Sequence, residues 1–128
     1  MEVQAISRYI RISPRKMQLL AREVHSMAPA TAASMLTHLN KNGAQALKKL
    51  IESALANAKA KELPTAQLAF KHIEVVSGGA MKRFRAVSRG MAHTYKKRMS
   101  HVRVVLTDEK AVAAKDATPK TGVIKEKK

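Results

Sequence analysis

One stretch of the chain limits its possible folds more than any other, because residues 75–107 contain no aspartate or glutamate. The same stretch contains eight lysine or arginine residues, spread over two strand-like segments on either side of Gly90. We interpret Gly90 as the turn between an outgoing arm from Met81 and a returning arm at Tyr95. The sequence therefore predicts a long antiparallel hairpin. The basic residues of the stretch are Lys82, Arg83, Arg85, Arg89, Lys96, Lys97, Arg98 and Arg103.

Such a hairpin is too long and too positively charged to be stable by itself in water. Arms of about ten residues, at about 3.3 Å per residue, would project roughly 30 Å from a small core. An isolated two-stranded ribbon is marginally stable, and like charges on facing strands repel each other. We therefore expect a polyanion along its flanks. A solvated or disordered basic loop is the alternative, but the alternating flanking strands and the placed glycine favour an ordered hairpin.

The whole chain is basic, with a formal net charge of +16 at pH 7. Nucleic acid, an anionic membrane surface or an acidic protein would each fit that charge. A helical DNA reader would carry its cations on a recognition helix, and a base-stacking sheet would need more aromatic residues than the four present. The position of the charge favours recognition of the backbone of folded RNA by an extended arm.

Three stretches with apolar residues at helical spacing predict three helices. Ser13-Pro14 marks the start of the first helix, because serine can cap a free amide and proline has no N–H to leave unpaired. This helix is expected to end near His25 or Ser26. Pro29 opens a second helix, and the third runs from Ala44 to a stop at Leu63-Pro64.

Alternating apolar residues predict strands at 3–12, 68–75 and 101–107. The phase of the alternation changes near Lys71-His72, which indicates a bulge, and Gly78-Gly79 is interpreted as a turn signal. The length of the chain suits one domain at 1–107, including the extended hairpin 78–102. Residues 108–128 are expected to be a disordered basic tail, because they have too little apolar surface to offset the entropy of ordering.

A second basic cluster surrounds the predicted start of the first helix, where Ser13 and free amides could accept a phosphate. An ordinary helix N-terminus with exposed arginines explains the same residues equally well. The cluster consists of Arg8, Arg11, Arg15 and Lys16.

No pattern in the sequence indicates an enzyme, a metal site, a cofactor or a small-molecule substrate. The chain has no cysteine, its five histidines lack metal-ligand spacing, and no nucleophile elbow or phosphate-binding loop is present. No apolar run reaches the roughly 18 to 20 residues of a membrane span, and Glu2, Arg8 and Arg11 interrupt any signal peptide. We expect a cytoplasmic protein. A nucleic-acid-modifying enzyme and a DNA-compacting protein are the competing hypotheses.

Several collinear motifs over residues 2–107 resemble the L22 family of bacterial large-subunit ribosomal proteins. The motifs that carry the resemblance are residues 7–16 (SRYIRISPRK), 54–58 (ALANA), 81–85 (MKRFR), 89–90 (RG) and 97–102 (KRMSHV). The resemblance implies an α+β fold, with three helices packed on a small antiparallel sheet and a long protruding basic β-hairpin. It also implies a structural role in the large ribosomal subunit, with the hairpin reaching the nascent-peptide exit tunnel.

The partners implied are large-subunit ribosomal RNA, neighbouring large-subunit ribosomal proteins and the nascent peptide. Phe84 and Tyr95 would pack on sugar or base faces. The predicted RNA-binding residues are Arg8, Arg11, Ser13, Arg15, Lys16, Lys82, Arg83, Phe84, Arg85, Arg89, Lys96, Lys97, Arg98, Ser100, His101 and Arg103. The predicted tunnel tip is Ser88, Arg89, Gly90, Met91 and Ala92.

The sequence departs from the family pattern at the tip. Residues 86–88 (AVS) stand where the family usually has a proline and another basic residue, and Met91 stands where a basic residue is common. The tip is therefore expected to be less positive than in the family, while the arms keep their cations.

Overall fold

The computed structural model describes residues 1–108, so the predicted tail lies outside the described residues except for Asp108. The described part is an α+β fold in which three helices pack on a three-stranded antiparallel sheet, as predicted. Short 3-10 turns occupy Thr65–Gln67 and Ser88–Gly90. The main elements are β1 (Glu2–Ile10), α1 (Pro14–His25), α2 (Pro29–His38), α3 (Ala44–Ala60), β2 (Ala69–Ala86) and β3 (Ala92–Thr107).

The sheet has the order β1-β3-β2, so the last strand of the chain lies in the middle. Leu106 of β3 pairs with Val3 on one side and with Phe70 on the other. The predicted bulge in β2 is confirmed, because the pairing register shifts between Phe70 and His72. This central position makes β3 the element that joins the core to the hairpin.

The interpretation of Gly78-Gly79 as a turn is wrong, because β2 continues through both residues to Ala86. The pair forms an irregularity, and the register shifts between Ser77 and Ala80. A Cβ atom added to Gly78 would come within 3.2 Å of the Met99 carbonyl group and of the His101 ring. A side chain at position 78 would therefore be crowded against β3, so glycine favours the close approach of β2 to β3, and the real turn lies at the hairpin tip.

The helices cover one face of the sheet and form a single core with it. The predicted stripe of α1 is confirmed, because Met17, Leu20, Ala21 and Val24 are all buried. On α3 the predicted stripe is buried except for Leu55, which is only partly buried. α1 contacts β2, α3 contacts β1, and α2 packs on α3. The sheet contributes Val3, Ala5, Phe70, Val102, Val104 and Leu106 to the core.

Two helix ends differ from the predictions. Ser13 is the N-cap of α1, but its side chain makes no capping hydrogen bond, and its carbonyl oxygen accepts from the Lys16 and Met17 amides instead. α3 ends at Ala60, before the predicted stop at Leu63-Pro64. The cause is Glu62, whose left-handed φ of 58° turns the chain away from the helix axis.

β1 also ends earlier than predicted, at Ile10 rather than Ile12. The pairing of β1 with β3 becomes irregular between Ser7 and Ile10, and Tyr9 adopts a left-handed φ of 57°. The amide of Tyr9 donates a hydrogen bond to Nδ1 of His101 at 2.9 Å, and the two rings meet edge to face. A histidine from β3 thus holds the turn that leads into α1.

An ion pair between Glu2 of β1 and Lys71 of β2 joins the two outer strands across the end of β3. The hydrogen bond from Lys71 is the main reason why the pKa of the Glu2 carboxyl lies below its usual value. A carboxyl with a lowered pKa stabilises the fold above its ordinary pKa, and this stabilisation is lost as pH falls through the lowered value.

We expect the substitution Lys71→Gln to raise the pKa of Glu2 toward the ordinary glutamate value, because the ammonium donor is removed. An NMR pH titration of the Glu2 carboxyl group measures the change. Lys41→Gln is the control, since it breaks the separate Lys41–Glu23 pair at 3.0 Å and should leave Glu2 unaffected. An unchanged Glu2 titration in Lys71→Gln would show that the ion pair does not persist in solution.

Candidate nucleic-acid interface

The predicted hairpin is present as an extension of β2 and β3 beyond the core. Its arms are paired from Ala80 with Arg98 to Ala86 with Ala92. At the tip the Val87 amide donates to the Met91 carbonyl oxygen at 2.9 Å, which closes the turn. None of residues 78–99 is buried, so the hairpin is not held by the core.

The tip is a short 3-10 turn that reverses the chain between the two arms. Arg89 and Gly90 both have positive φ values, of 58° and 68°. Glycine adopts this conformation without steric cost, which explains its place in the turn. All five predicted tip residues are exposed, and Arg89 is the single lysine or arginine among them.

The cations of the hairpin arms are exposed and have no acidic partners. Lys82 pairs directly with Lys96 across the two strands, an arrangement that is destabilising in an isolated sheet. Within the described residues, no ion pair involves any cation between residues 78 and 99. The hairpin therefore presents uncompensated positive charge to its surroundings. The exposed cations are Lys82, Arg83, Arg85, Arg89, Lys96, Lys97 and Arg98.

Both faces of the hairpin carry this charge. Residues that pair across the strands share a face, and successive residues alternate between faces. One face therefore has Met81, Arg83, Arg85, Tyr95 and Lys97, and the other has Lys82, Phe84, Lys96 and Arg98. Each face also has one aromatic ring, with Phe84 73% and Tyr95 44% exposed. Either face can thus combine phosphate contacts with stacking on a sugar or a base.

The second basic cluster lies at the start of α1, and Arg8, Arg11, Arg15 and Lys16 are all exposed. The packing of α1 against β2 brings one of these side chains close to the hairpin. Arg15 and Arg98 line the same cavity, which opens between the first turn of α1 and the base of the hairpin. The fold therefore joins the two basic clusters, which lie far apart in sequence.

Three predicted RNA-binding residues lie in the sheet rather than in the hairpin arms. Arg103 forms an ion pair with Glu74 at 3.6 Å and donates a hydrogen bond to the Gln4 side chain at 3.1 Å. Ser100 is fully buried, and His101 accepts the hydrogen bond from Tyr9. RNA binding by these three residues stays a prediction. The contacts of Arg103 and His101 with β1 and β2 already give those two residues a structural role.

The sequence analysis did not assign Gln18, Ser77 or Gly78 to a site, although all three line the same cavity as Arg15 and Arg98. Gln18 lies three positions after Arg15 on α1, a spacing that places both on one side of a helix. Gly78 was missed because the glycine pair was interpreted as a turn. The spacing of Gln18 was a usable signal, whereas the place of Ser77 depends on tertiary packing.

Within residues 1–108, no group of three or more potential metal ligands is present. No described helix is long and apolar enough to cross a membrane.

Comparison with known proteins decides between the hypotheses that fit this surface. The family model for ribosomal protein L22p/L17e matches residues 5–107, which is most of the chain. The chain belongs to this family. It is therefore a structural protein of the ribosome and not an enzyme, and its location is the ribosome. Membership also disfavours the DNA-compacting protein.

Bacterial relatives of this L22 protein cover nearly its whole length. It is 39% identical to a protein of Gluconobacter oxydans over 128 residues, covering 99% of this chain and 89% of the relative. It is 42% identical to a protein of Mycoplasma capricolum over 111 residues, with 86% and 100% covered. A protein of Thermus thermophilus is 39% identical over 110 residues, with 85% and 97% covered. All three are named large ribosomal subunit protein uL22.

Proposed function

We propose that this L22 family member is a structural constituent of the large ribosomal subunit that binds ribosomal RNA mainly through its hairpin. The observation that carries the proposal is the two-faced ribbon of exposed cations without acidic partners in the described part of the chain. The shared name of its relatives supports the assignment to the large subunit.

Phosphate groups on both faces would remove the repulsion that the free hairpin suffers. Each cation that neutralises a phosphate also releases a condensed counterion, so binding is favourable and depends steeply on salt. The exposed rings of Phe84 and Tyr95 would add stacking, which does not depend on base sequence. Binding of this kind stabilises a folded RNA during subunit assembly without reading its sequence.

The tip of the hairpin would reach beyond the RNA to the nascent-peptide exit tunnel. Its side chains are mostly small or flexible, and it has less positive charge than the arms. Such a surface suits transient contact with passing peptides of varied sequence. The rest of the domain at 1–107 would lie on the outside of the subunit, where it would contact the RNA surface and neighbouring large-subunit proteins.

The triple substitution of Lys82, Arg83 and Arg85 with alanine is expected to weaken binding to large-subunit RNA several-fold. Three lost phosphate contacts should also lower the slope of log affinity against log salt by about two to three. Filter binding or fluorescence anisotropy at several salt concentrations measures both quantities.

The matched control removes the same charge from a different surface, by substituting Lys49, Lys59 and Lys61 of the α3 region with alanine. These three lysines are exposed, and none of them belongs to the hairpin. The control should retain most of the affinity and slope. Equal losses in the two triple variants would show that net charge, and not the hairpin, carries the binding.

A further inference from the structure

We propose that the cavity between the first turn of α1 and the base of the hairpin binds one phosphate of the RNA backbone. The cavity has a volume of about 470 Å³. This inference rests on the proposed RNA binding, and it assigns one phosphate group to this cavity. The residues that would hold the phosphate are Ser13, Arg15, Gln18, Ser77, Gly78 and Arg98.

Two guanidinium groups from separate elements line this cavity. Arg15 comes from α1 and Arg98 from β3, and no aspartate or glutamate is among the lining residues. Within the described residues neither arginine forms an ion pair. Two cations held around one cavity repel each other, and a planar guanidinium matches the oxygens of a phosphate. The arrangement is thus complementary to an anion.

Uncommitted polar groups surround the two arginines. The Ser13 hydroxyl makes no capping bond, and Pro14 has no N–H, so the free amide of the first turn belongs to Arg15. Gly78 lies in the irregularity where the β2–β3 pairing is interrupted. Gln18 adds a side-chain amide. The Ser13 hydroxyl, the Arg15 amide and the Gln18 side-chain amide can all donate to phosphate oxygens.

Ser100 lies next to two of the residues that line the cavity. It is fully buried, and its Oγ atom has no hydrogen-bond partner in the described part of the chain. Ser100 pairs with Ser77 and lies two residues from Arg98 on β3, so all three side chains share one face of the sheet. A buried hydroxyl group without a partner therefore neighbours two residues that line the cavity, and Ser100 itself is not among the lining residues.

The lining also indicates the chemical class of the ligand. No aromatic residue lines the cavity, so a nucleobase would have no ring on which to stack. Polar and cationic side chains dominate the lining. A phosphodiester with part of its hydration shell fits this composition, and it would fix the angle at which RNA crosses from α1 to the hairpin.

A double-mutant cycle with Arg15→Gln and Arg98→Gln tests the cavity. The affinity of the full chain for a large-subunit ribosomal RNA fragment is measured for the wild type, both single variants and the double variant. We expect each single variant to lose about five- to ten-fold and the double variant only about two-fold more, because both side chains bind one phosphate. Multiplicative losses would overturn the single-phosphate site.

The control cycle combines Arg15→Gln with Arg85→Gln, which lies near the hairpin tip. Arg85 is an exposed arginine and does not line the cavity. The losses of this pair should multiply, because the two side chains contact different phosphates. Coupling as strong as that of Arg15 with Arg98 would show a general effect of charge and would count against the cavity.

Titration of the free protein with inorganic phosphate separates the cavity from the proposed function. In the wild type, the NMR signals of the Ser13, Arg15 and Gly78 amides should shift together and saturate, and Arg15→Gln should abolish the shifts. Saturation without RNA affinity would refute the proposed function alone. RNA binding with multiplicative losses in the cycle of Arg15→Gln and Arg98→Gln would refute the phosphate site and leave the proposed function standing. If the phosphate titration and this cycle disagree, the cycle decides.

Discussion

Replacing Leu47 with alanine is expected to lower the free energy of unfolding by about 2 to 5 kcal/mol. Leu47 lies on the buried face of α3 and is 0% exposed. α3 contacts β1, α2 and β3, so the lost side chain would leave a cavity where the two layers meet. Denaturation in urea, followed by circular dichroism, measures the change through the shift of the midpoint.

Leu19→Ala is the matched control, because it makes the same chemical change on a helix surface. Leu19 lies on α1 and is 59% exposed. Its substitution should change the free energy of unfolding by about 0.5 kcal/mol or less. Similar losses in the two variants would mean that α3 does not form the centre of the core.

The helices could be predicted because the local spacing of apolar residues determines which of their side chains are buried. The 3.6-residue period of Met17, Leu20, Ala21 and Val24 selected the side chains that are buried in α1. The α3 stripe followed the same rule, and Leu55 failed because it lies at the edge of the buried face. The period of the apolar residues identifies which side of a helix is buried, but it does not determine how wide the buried face is.

The strand ends depended on contacts between distant residues. The pairing of β1 becomes irregular just before its end at Ile10, where the Tyr9 amide donates to His101, a residue 92 positions later. Gly78 was misinterpreted because a glycine pair typically signals a turn, whereas here it permits close packing against Met99. In both places tertiary contacts outweighed the local pattern.

The charge of the candidate site was predictable, but its arrangement was not. The absence of acidic residues from 75–107 was enough to identify a surface that needs an anionic partner. The sequence did not show that Arg15 and Arg98 line one cavity, since this requires the packing of α1 on β2. It also did not show that Glu74 pairs with Arg103 across β2 and β3.

Replacing residues 78–99 with Asn-Gly is expected to remove most RNA binding and to leave the core folded. Ser77 and Ser100 are paired directly, and an Asn-Gly loop can connect such a pair in a two-residue turn. None of the removed residues is buried, so the free energy of unfolding should change by about 1 kcal/mol or less. Seven cations are lost, and the salt slope should fall by about five to six.

The affinity for large-subunit RNA at moderate salt should fall about a hundred-fold or more in this variant. A second variant keeps the hairpin but replaces its seven cations with glutamine, which separates the charge of the ribbon from its shape. If charge carries the binding, this variant should lose nearly as much affinity and the same slope. Wild-type affinity in the shortened chain would contradict the proposal, because the cluster around Arg8, Arg11 and Lys16 would then suffice. A large loss in the shortened chain with little loss in the glutamine variant would instead assign recognition to the shape and aromatic rings of the hairpin.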